Sequence, residues 1–589
     1  MTPELLGSGA LAPLGPDVRQ PVIIAFLVFI GCSLLWLVTL VTGQEDGPER
    51  LCVAGRSLSP VLNGFALTGE QITAVTLLAL PGAIALFGYD GFAAAVDTLL
   101  ALGVTLLLAR RIRDSNCHTL GDLFGLRAPG AAPRIAAALV TLTITLPVLL
   151  LQFRAAGIGA SLLIGASTEA VQVVCTIMIG GLVVCFAVVA ELRGTAFMHV
   201  VKVLFTLVTL SAVVLLALRT FGWDPGDLLS AAVNGSIEPD AYLSPGLWPY
   251  ETDLGPLNDV GAHMVVILGA AVAPHLVLRL NASRTGESAR RSATIAVVLT
   301  STFVTLLVTA GFAATAVVAS GGIGAVDDNG QSSLILLASE VLDGGSPMRV
   351  ALITAVSCAT FLAVLTGVSS VTFAAAVSLT QDVFARHERR RTDTGEVRTL
   401  RLAVVGLCAM GLLLAAATYR YEVEFLITFA TSVAASCVFP ALILTFFWKG
   451  FNRRGGCCGP STADCCFASC SCSSRPASPD TRMPYGRKRT SPGIRSRPPD
   501  CRPYRRPSSW AGSAASPHRK TRDATPRTWH APSWREGPTA QSPCPADGRR
   551  RCTAEHLADR PTLTPRRGHD LAARLTDRFR MRFGGVASR

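Results

Sequence analysis

One apolar segment of this 589-residue chain combines residue types that could bind a cation. The segment NGFALTGEQITAVTLLALPGAIALFGYDG carries Gly69, Glu70 and Gln71 and, further on, Pro81 and Gly82. A helix in hydrocarbon avoids freed backbone carbonyls and an ionisable carboxyl unless these groups face a cavity or a bound ion. Broken transmembrane helices present such carbonyls to a cation near the middle of the bilayer, so this segment predicts a cation site. The alternative is a packing kink that leaves Glu70 near the membrane interface.

A second group of oxygen atoms lies in the segment ALITAVSCATFLAVLTGVSSVTFAAAVSLTQD. Thr366, Ser369 and Ser370 fall within about one turn of a helix, and their hydroxyls could complete an oxygen-only site for a hard monovalent cation. Small hydroxyl residues also pack helices against each other in membranes. Both interpretations stay open.

Two further segments place polar residues inside apolar runs. In LGAAVAPHLVLRLNASR, Pro274 removes a backbone hydrogen bond in mid-span, and His275 beside it either meets a substrate or is a satisfied structural residue. In LLLQFRAAGIGA, Gln152 and Arg154 lie within a span. Arg154 either neutralises an anion, pairs with a carboxylate or extends to the interface.

A last cluster of charges lies in ELRGTAFMHVVKV, at the cytoplasmic start of a helix. It contains Glu191, Arg193, His199 and Lys202. Charged residues near helix ends reach the interface, so the cluster is expected to anchor the helix there.

The sequence contains none of the constellations that soluble enzymes use. It has no glycine-rich phosphate loop, no zinc-ligand spacing before the C-terminal tail and no nucleophile elbow. Half of the residues are hydrophobic and only 16% are charged. The sequence therefore favours a carrier rather than an enzyme, without an organic cofactor, an obligate protein partner or a specific nucleic-acid partner.

Long apolar runs surround all of these motifs. Runs such as PVIIAFLVFIGCSLLWLVTLVT are close to the roughly 20 residues that a helix needs to cross a bilayer. They predict an all-α multi-pass membrane protein with eleven helices, at residues 20–43, 61–86, 91–109, 134–164, 169–190, 196–218, 259–280, 291–319, 350–380, 400–418 and 423–448.

Basic residues in the loops predict how these helices are oriented. Loops rich in arginine lie at residues 110–134, 279–291 and 386–401. Because cytoplasmic loops carry the excess of Lys and Arg, we expect segment 1–19 outside the cell and the tail after the eleventh helix in the cytoplasm, in the plasma (inner) membrane. The opposite loops, 219–258 and 320–349, are acidic or neutral and are expected to form extracellular caps.

Several motifs resemble one family of transporters. Over about residues 20–455, in collinear order, the chain is similar to the sodium:solute symporter family, and most of all to its cation/acetate (monocarboxylate) permease branch. The matching stretches are AGRSLSPVLNGFALTGEQITA, FGYDG, GDLFGLR, RGTAFMHVVKV, APHLVLR, SLTQDVF and AASCVFPALILTFFWKGFNRRG.

The resemblance implies a fold and a function. The fold is leucine-transporter-like, with two inverted repeats of five helices after one extra N-terminal helix, and the transporter domain covers residues 20–455. The function is cation-coupled import of a small monocarboxylate such as acetate or pyruvate by alternating access. The alternative is a non-transporting truncated remnant or a membrane sensor on the same fold.

The resemblance also implies a site for a coupling Na⁺. Carried over by position, its ligands are the carbonyls of Gly69, Ile72 and Ala363 and the side chain of Thr366. The next family position is often a hydroxyl, but here it is Gly367. Either Ser369 compensates for this loss or the coupling ion is a proton.

The substrate is expected beside the broken helices. The residues expected to contact it are Glu70, Gln71, Thr73, Gln152, Pro274 and His275. Glu70 stands where the acetate branch usually carries aspartate, and Arg154 where that branch tends to be apolar. The expected substrate class is therefore a small monocarboxylate rather than acetate alone.

The C-terminal tail differs from the rest of the chain and accounts for most of the net charge of +13. Around RRGGCCGPSTADCCFASCSCSSRPASP the apolar runs end and cysteines cluster. In the reading frame formed by the third base of each codon and the first two of the next, Cys458, Cys465 and Cys466 become leucine, and relatives continue here into another apolar span. We therefore expect a frameshift near Gly455 or Gly456, with residues 456–589 a disordered basic segment; the alternative is a genuine regulatory or nucleic-acid-binding tail.

Overall fold

The protein is helical throughout the part that the structure describes. The computed structural model describes residues 16–41, 56–127, 130–165, 168–189, 192–248, 255–342, 346–384, 393–419 and 423–448. In chain order the α-helices are α1 (Pro16–Val41), α2 (Pro60–Gln71), α3 (Ala74–Phe87), α4 (Tyr89–Asp114), α5 (Leu120–Gly125), α6 (Ala131–Ile164), α7 (Glu169–Val189), α8 (Leu192–Thr220), α9 (Pro225–Gly235), α10 (Gly255–Ala271), α11 (Pro274–Asn281), α12 (Gly286–Val318), α13 (Ser320–Val326), α14 (Ser333–Glu340), α15 (Pro347–Ser378), α16 (Asp393–Ala417), α17 (Val423–Val433) and α18 (Phe439–Phe447). Five-residue π-helical turns follow α15 (Leu379–Val383) and join α17 to α18 (Ala434–Val438).

Helices occupy all eleven predicted spans. Within the described residues, nine helical segments are long and apolar enough to cross a membrane, and the bent pair α2 and α3 makes a tenth. The first predicted span corresponds to the 26-residue α1. The part of α1 whose side chains are described, Val18–Ser33, is apolar but shorter than the other spans. Most helix ends lie a few residues from the predicted ones because the helices continue into the polar loops.

The second span is broken after Gln71. Pro60 follows the N-cap Ser59 at the start of α2, and the chain leaves helical geometry at Ile72 and Thr73 before α3 begins at an angle of 54°. Thr73 caps α3 through a reciprocal pair of hydrogen bonds with Thr76. These caps satisfy backbone groups that a break inside a membrane would otherwise leave exposed.

Pro81 and Gly82 do not break the second span, because α3 runs through both residues without interruption. These residues serve close packing instead. A Cβ atom on Gly82 would lie 2.4 Å from the carbonyl oxygen of Gly330, and one on Gly311 would lie 3.2 Å from the carbonyl oxygen of Pro81. The backbone of α3 can therefore approach its neighbours this closely only because Gly82 and Gly311 have no side chain.

The seventh span is also broken, where Pro274 predicts it. α10 ends at Ala271, Val272 and Ala273 are not helical, and Pro274 opens α11. Proline lacks the backbone N–H that the first turn of a helix leaves unpaired in any case. The broken spans are thus the first helices of spans 2–6 and 7–11, the two groups of five that the repeat prediction requires.

The ninth span, α15, lies at the centre of the bundle. In its most apolar stretch 78% of the residues are buried, whereas 33% are buried in the corresponding stretch of α7 and of α16. It packs against α1, α6, α7, α8 and α16. Polar side chains on α15 are therefore held in the protein interior, away from lipid.

The two predicted outer caps contain short helices and pack onto the bundle. α9 lies in the first cap, and α13 and α14 lie in the second. In the first cap, the buried hydroxyl of Tyr242 donates to the carbonyl of Ile84 at 2.8 Å and lies 2.9 Å from Thr315 Oγ1. Burial raises the pKa of Tyr242 to about 12, so its hydroxyl remains a hydrogen-bond donor at physiological pH.

A Tyr242→Phe substitution should destabilise this cap. The change removes the hydrogen bond from the hydroxyl to the carbonyl of Ile84, which keeps its bond from the Gly88 N–H. The loss of one such hydrogen bond costs about 0.5–1.5 kcal/mol. The measurement is thermal unfolding of the purified protein, with Tyr89→Phe as the control because Tyr89 is 41% exposed. Equal midpoints for the two variants would contradict the role of Tyr242.

Residues 1–15 and 449–589 lie outside the described residues. The predictions that concern the N-terminal segment before α1, the frameshift and the tail at 456–589 therefore stay predictions.

Candidate cation and substrate site

The break in the second span turns backbone carbonyls toward the centre of the bundle. Gly69 and Ile72 are both buried, and α2 packs against α8 and α12. On the ninth span, Thr366 is 1% exposed. These are the atoms that the resemblance assigns to a cation.

A lysine side chain contacts three of these expected ligands. The Nζ atom of Lys202, on α8, donates to the carbonyl of Gly69 at 2.6 Å and to that of Ile72 at 3.0 Å. It also lies 2.7 Å from Thr366 Oγ1. Because that hydroxyl donates its hydrogen to the carbonyl of Leu362 at 2.8 Å, it accepts from Lys202. Three donated bonds require three N–H groups, which the ammonium form has and the neutral amine lacks.

Lys202 and His199 do not lie at the interface, contrary to the prediction. Both side chains are completely buried. Lys202 lies ten residues after the start of α8, which corresponds to about 15 Å of helix, or half of the hydrocarbon thickness. The sequence already indicated that Lys202 lies inside the membrane, since the predicted span 196–218 contains it.

Glu70 belongs to a buried network beside Lys202. Its Oε1 accepts hydrogen bonds from Arg279 Nε at 2.8 Å and from Ser370 Oγ at 2.5 Å, and His199 Nε2 lies 3.3 Å away. Arg279 also donates to Thr195 Oγ1 at 2.8 Å. The side chains of Glu70, Arg279 and His199 are at most 2% exposed. The network therefore joins α2, α8, α11 and α15.

This network has an excess of positive charge. Glu70 contributes one negative charge, whereas Arg279 and Lys202 contribute two positive charges. Burial of an uncompensated charge is costly. The hydrogen bonds of Lys202 go to two carbonyls and one hydroxyl, so none of them pairs its charge with a carboxylate.

The remaining predicted cation ligands have protein partners. Ser369 Oγ donates to the carbonyl of Leu365 at 2.8 Å, and the carbonyl of Ala363 lies 3.4 Å from Thr366 Oγ1. Gly367 faces Gln152, because a Cβ atom on Gly367 would lie 3.2 Å from Cδ of that side chain. Gln152 thus occupies the space next to Gly367.

The other predicted substrate contacts are spread around the two breaks. Thr73 uses its side chain to cap α3, Gln71 and His275 are half-buried, and Pro274 lines a small cavity together with Ser378. The structure therefore brings Glu70 into the Lys202 cluster but gives Thr73 a local structural role.

Arg154 lies apart from this cluster. It donates to the carbonyl of Tyr419 at 2.8 Å, and its guanidinium stacks over the Tyr419 ring at 4.7 Å from the centroid. Arg154 thus holds the end of α16 against α6.

Hydrogen bonds join distant segments next to the site. Asn63 Nδ2 donates to the carbonyl of Arg279 at 3.1 Å and to Ser283 Oγ at 2.9 Å. Arg113 Nε donates to the carbonyl of Ser283 at 2.5 Å, and its Nη2 to that of Arg284 at 2.8 Å. These bonds tie α2 and α4 to the connection between α11 and α12, on the predicted cytoplasmic side.

Comparison with known proteins identifies the family. The family model described as "Sodium:solute symporter family" matches residues 51–461, which is more than half of the chain. The chain belongs to the sodium:solute symporter family. It is a multi-pass membrane transporter, and the expectation that it is not an enzyme is confirmed.

Two curated relatives of this symporter are bacterial. The chain is 27% identical over 440 residues to an uncharacterized symporter, YwcA, of Bacillus subtilis. The aligned region makes up 74% of this chain and 83% of the relative. The chain is also 29% identical over 447 residues to a monocarboxylic acid transporter of Corynebacterium glutamicum. The aligned region makes up 73% of this chain and 79% of the relative.

A solved structure confirms the fold of the symporter. The structure is described as the substrate-bound outward-open state of a Na⁺-coupled sialic acid symporter. It superposes with a TM-score of 0.59 at 12% sequence identity, covering 74% of this chain and 88% of that one. The predicted leucine-transporter-like, all-α fold is therefore confirmed.

Proposed function

We propose that this symporter imports a small monocarboxylate, such as acetate or pyruvate, by cation-coupled alternating access. The coupling ion is Na⁺ or H⁺. The family and the relative named as a monocarboxylic acid transporter support this substrate class. We also propose that the protein lies in the plasma (inner) membrane, with its N-terminus outside and the chain after α18 in the cytoplasm.

The observation that carries the proposal is the excess positive charge at the broken helix. Glu70 is already bound to Arg279, and Lys202 adds a further charge in the same buried region. A carboxylate that binds beside the break compensates this charge at a place where burial makes electrostatic interactions strong. A neutral or cationic solute gains nothing from this arrangement.

The proposed transport cycle uses the two breaks as flexible points. The substrate binds near Gln71, Gln152 and His275, between the second, fourth and seventh spans, and the two groups of helices then rock around it. A membrane potential of 100 mV contributes about 2.3 kcal/mol for each charge moved, so the substrate can be accumulated without ATP.

The hydrogen bonds of the predicted Na⁺ ligands show whether these atoms could hold the ion. The oxygens of Gly69, Ile72 and Thr366 form a group of the hard donors that a monovalent cation prefers. All three already accept hydrogen bonds from Lys202 Nζ. A Na⁺ ion does not fit among them while the ammonium stays in place.

The proposed function is tested by uptake into proteoliposomes that contain the full chain. Labelled acetate and pyruvate should enter vesicles with an imposed Na⁺ or H⁺ gradient and should be released when both gradients are collapsed. Vesicles without protein are the control. Uptake that does not respond to either gradient would contradict symport, and absence of all uptake would favour the truncated remnant or the membrane sensor.

A further inference from the structure

Lys202 occupies the position that the family resemblance assigns to a coupling sodium ion. We propose that its ammonium group is a covalently tethered cation in this position, and that transport therefore does not require Na⁺ there. The inference rests on the proposed function, because it specifies which ion that function does not use.

The hydrogen bonds around Nζ match an ammonium group. Gly69, Ile72 and Thr366 provide three acceptors, at 2.6, 3.0 and 2.7 Å, and an ammonium provides three donors. The position after Thr366 is Gly367, so it supplies no side-chain oxygen. Gln152 lies against that glycine instead. The site is thus complete for a three-donor group.

The surrounding charges do not favour a second cation. The charged or ionisable groups that interact with Lys202 are Glu70 on α2, His199 on α8 and Arg279 on α11. His275 on α11 interacts with Glu70 and Arg279. Glu70 is the only acid among them, and it is already bound to Arg279.

The other helices that pack against α8 add no carboxylate at this depth. The charged residues of α12 are Glu287, Arg290 and Arg291, all near its start, and those of α15 and its π-helical turn are Arg349 and Asp382, at opposite ends. A Na⁺ ion beside Lys202 would therefore meet two nearby positive charges and no free carboxylate among the described groups.

The covalent attachment of the Lys202 ammonium group to α8 affects how the spans can separate during transport. Lys202 belongs to α8, whereas its acceptors belong to the broken second span and to the ninth span. A sodium ion leaves such a site and lets the two spans separate, but the ammonium cannot leave the chain. Separation of these spans must therefore break hydrogen bonds to Lys202 and not release an ion.

Thermal unfolding of the purified full-length protein tests the inference without a substrate. The midpoint of the wild-type protein should be the same in NaCl and in choline chloride at equal ionic strength. In Lys202→Ala the three acceptors lose their donor, so Na⁺ can bind and should raise the midpoint by about 2 °C or more. Thr206→Ala, one turn further along α8 and also buried, is the matched control and should show no response to Na⁺.

Two results would overturn the inference. One is a wild-type protein whose midpoint rises with Na⁺, and the other is a folded Lys202→Ala protein whose midpoint does not. Lys202→Met supplies a further check if the alanine variant fails to fold. Its apolar side chain fills the same space without charge, so it should show no Na⁺ response and should lose uptake, and retained uptake would contradict the role of the ammonium.

Uptake into proteoliposomes separates this inference from the proposed function. Wild-type uptake of acetate or pyruvate should be equal in Na⁺ and in choline, while Na⁺ should increase uptake by Lys202→Ala about fivefold or more. If neither carboxylate enters in any salt, the proposed substrate is wrong, but the unfolding measurements still decide whether Lys202 replaces sodium. Wild-type uptake that needs Na⁺ would overturn the inference and leave the proposed function intact.

Discussion

Glu70→Gln should abolish uptake and strongly destabilise the protein. The carboxylate of Glu70 binds Arg279 in a region where both side chains are at most 2% exposed. Glutamine keeps the size of the side chain but removes the only negative charge of the cluster, so Arg279 and Lys202 remain buried without compensation. Loss of one partner of a buried ion pair costs about 3–5 kcal/mol.

The measurements for Glu70→Gln are the thermal unfolding midpoint and the uptake of labelled acetate. The control is Glu287→Gln, the same chemical change in an ion pair with Arg291 where both side chains are about 70% exposed. An exposed pair of this kind contributes at most about 1 kcal/mol. If Glu70→Gln were as stable as the control, Glu70 would not be the counter-charge of Arg279.

Gly69→Ala should be nearly as harmful, for a steric reason. A Cβ atom at position 69 would lie 2.3 Å from Nδ1 of His199 and 2.6 Å from its Cγ. His199 is completely buried, so it cannot move aside into solvent. Overpacking of this kind costs about 1–3 kcal/mol, and the shift would also displace the carbonyl that accepts a hydrogen bond from Lys202.

A pair of variants separates this clash from a general intolerance of alanine. Gly103→Ala lies on another span, at a position where a Cβ atom would meet no atom within 4 Å, and should behave as wild type. His199→Ala removes the obstructing ring, so the double variant with Gly69→Ala should be less destabilised than the sum of the two single variants. Strict additivity of the unfolding free energies would show that residues 69 and 199 do not compete for space.

Much of the fold follows from local properties of the sequence. Apolar runs of about 20 residues predict spans because, in lipid, a single segment can form all of its backbone hydrogen bonds only as a helix. The breaks after Gln71 and before Pro274 are also local, since they depend on glycine, on an ionisable residue and on the missing N–H of proline. Pro81 looked equivalent, but only packing against Gly311 and Gly330 shows why the helix continues there.

The assembly of the site was decided by the tertiary structure. Gly69 and Lys202 are 133 residues apart, and Lys202 and Thr366 are 164 residues apart. No periodicity within one segment reports which faces of three distant helices meet.

The sequence by itself thus indicated where the helical spans lie, which residues stand at the two breaks and which family the chain resembles, because each depends on a local run of residue types. The tertiary structure decided that Lys202 is an interior cation and that Glu70 is the partner of Arg279. The reason is that the cost of burying a charge depends on which opposite charges and acceptors the other helices bring within hydrogen-bond distance.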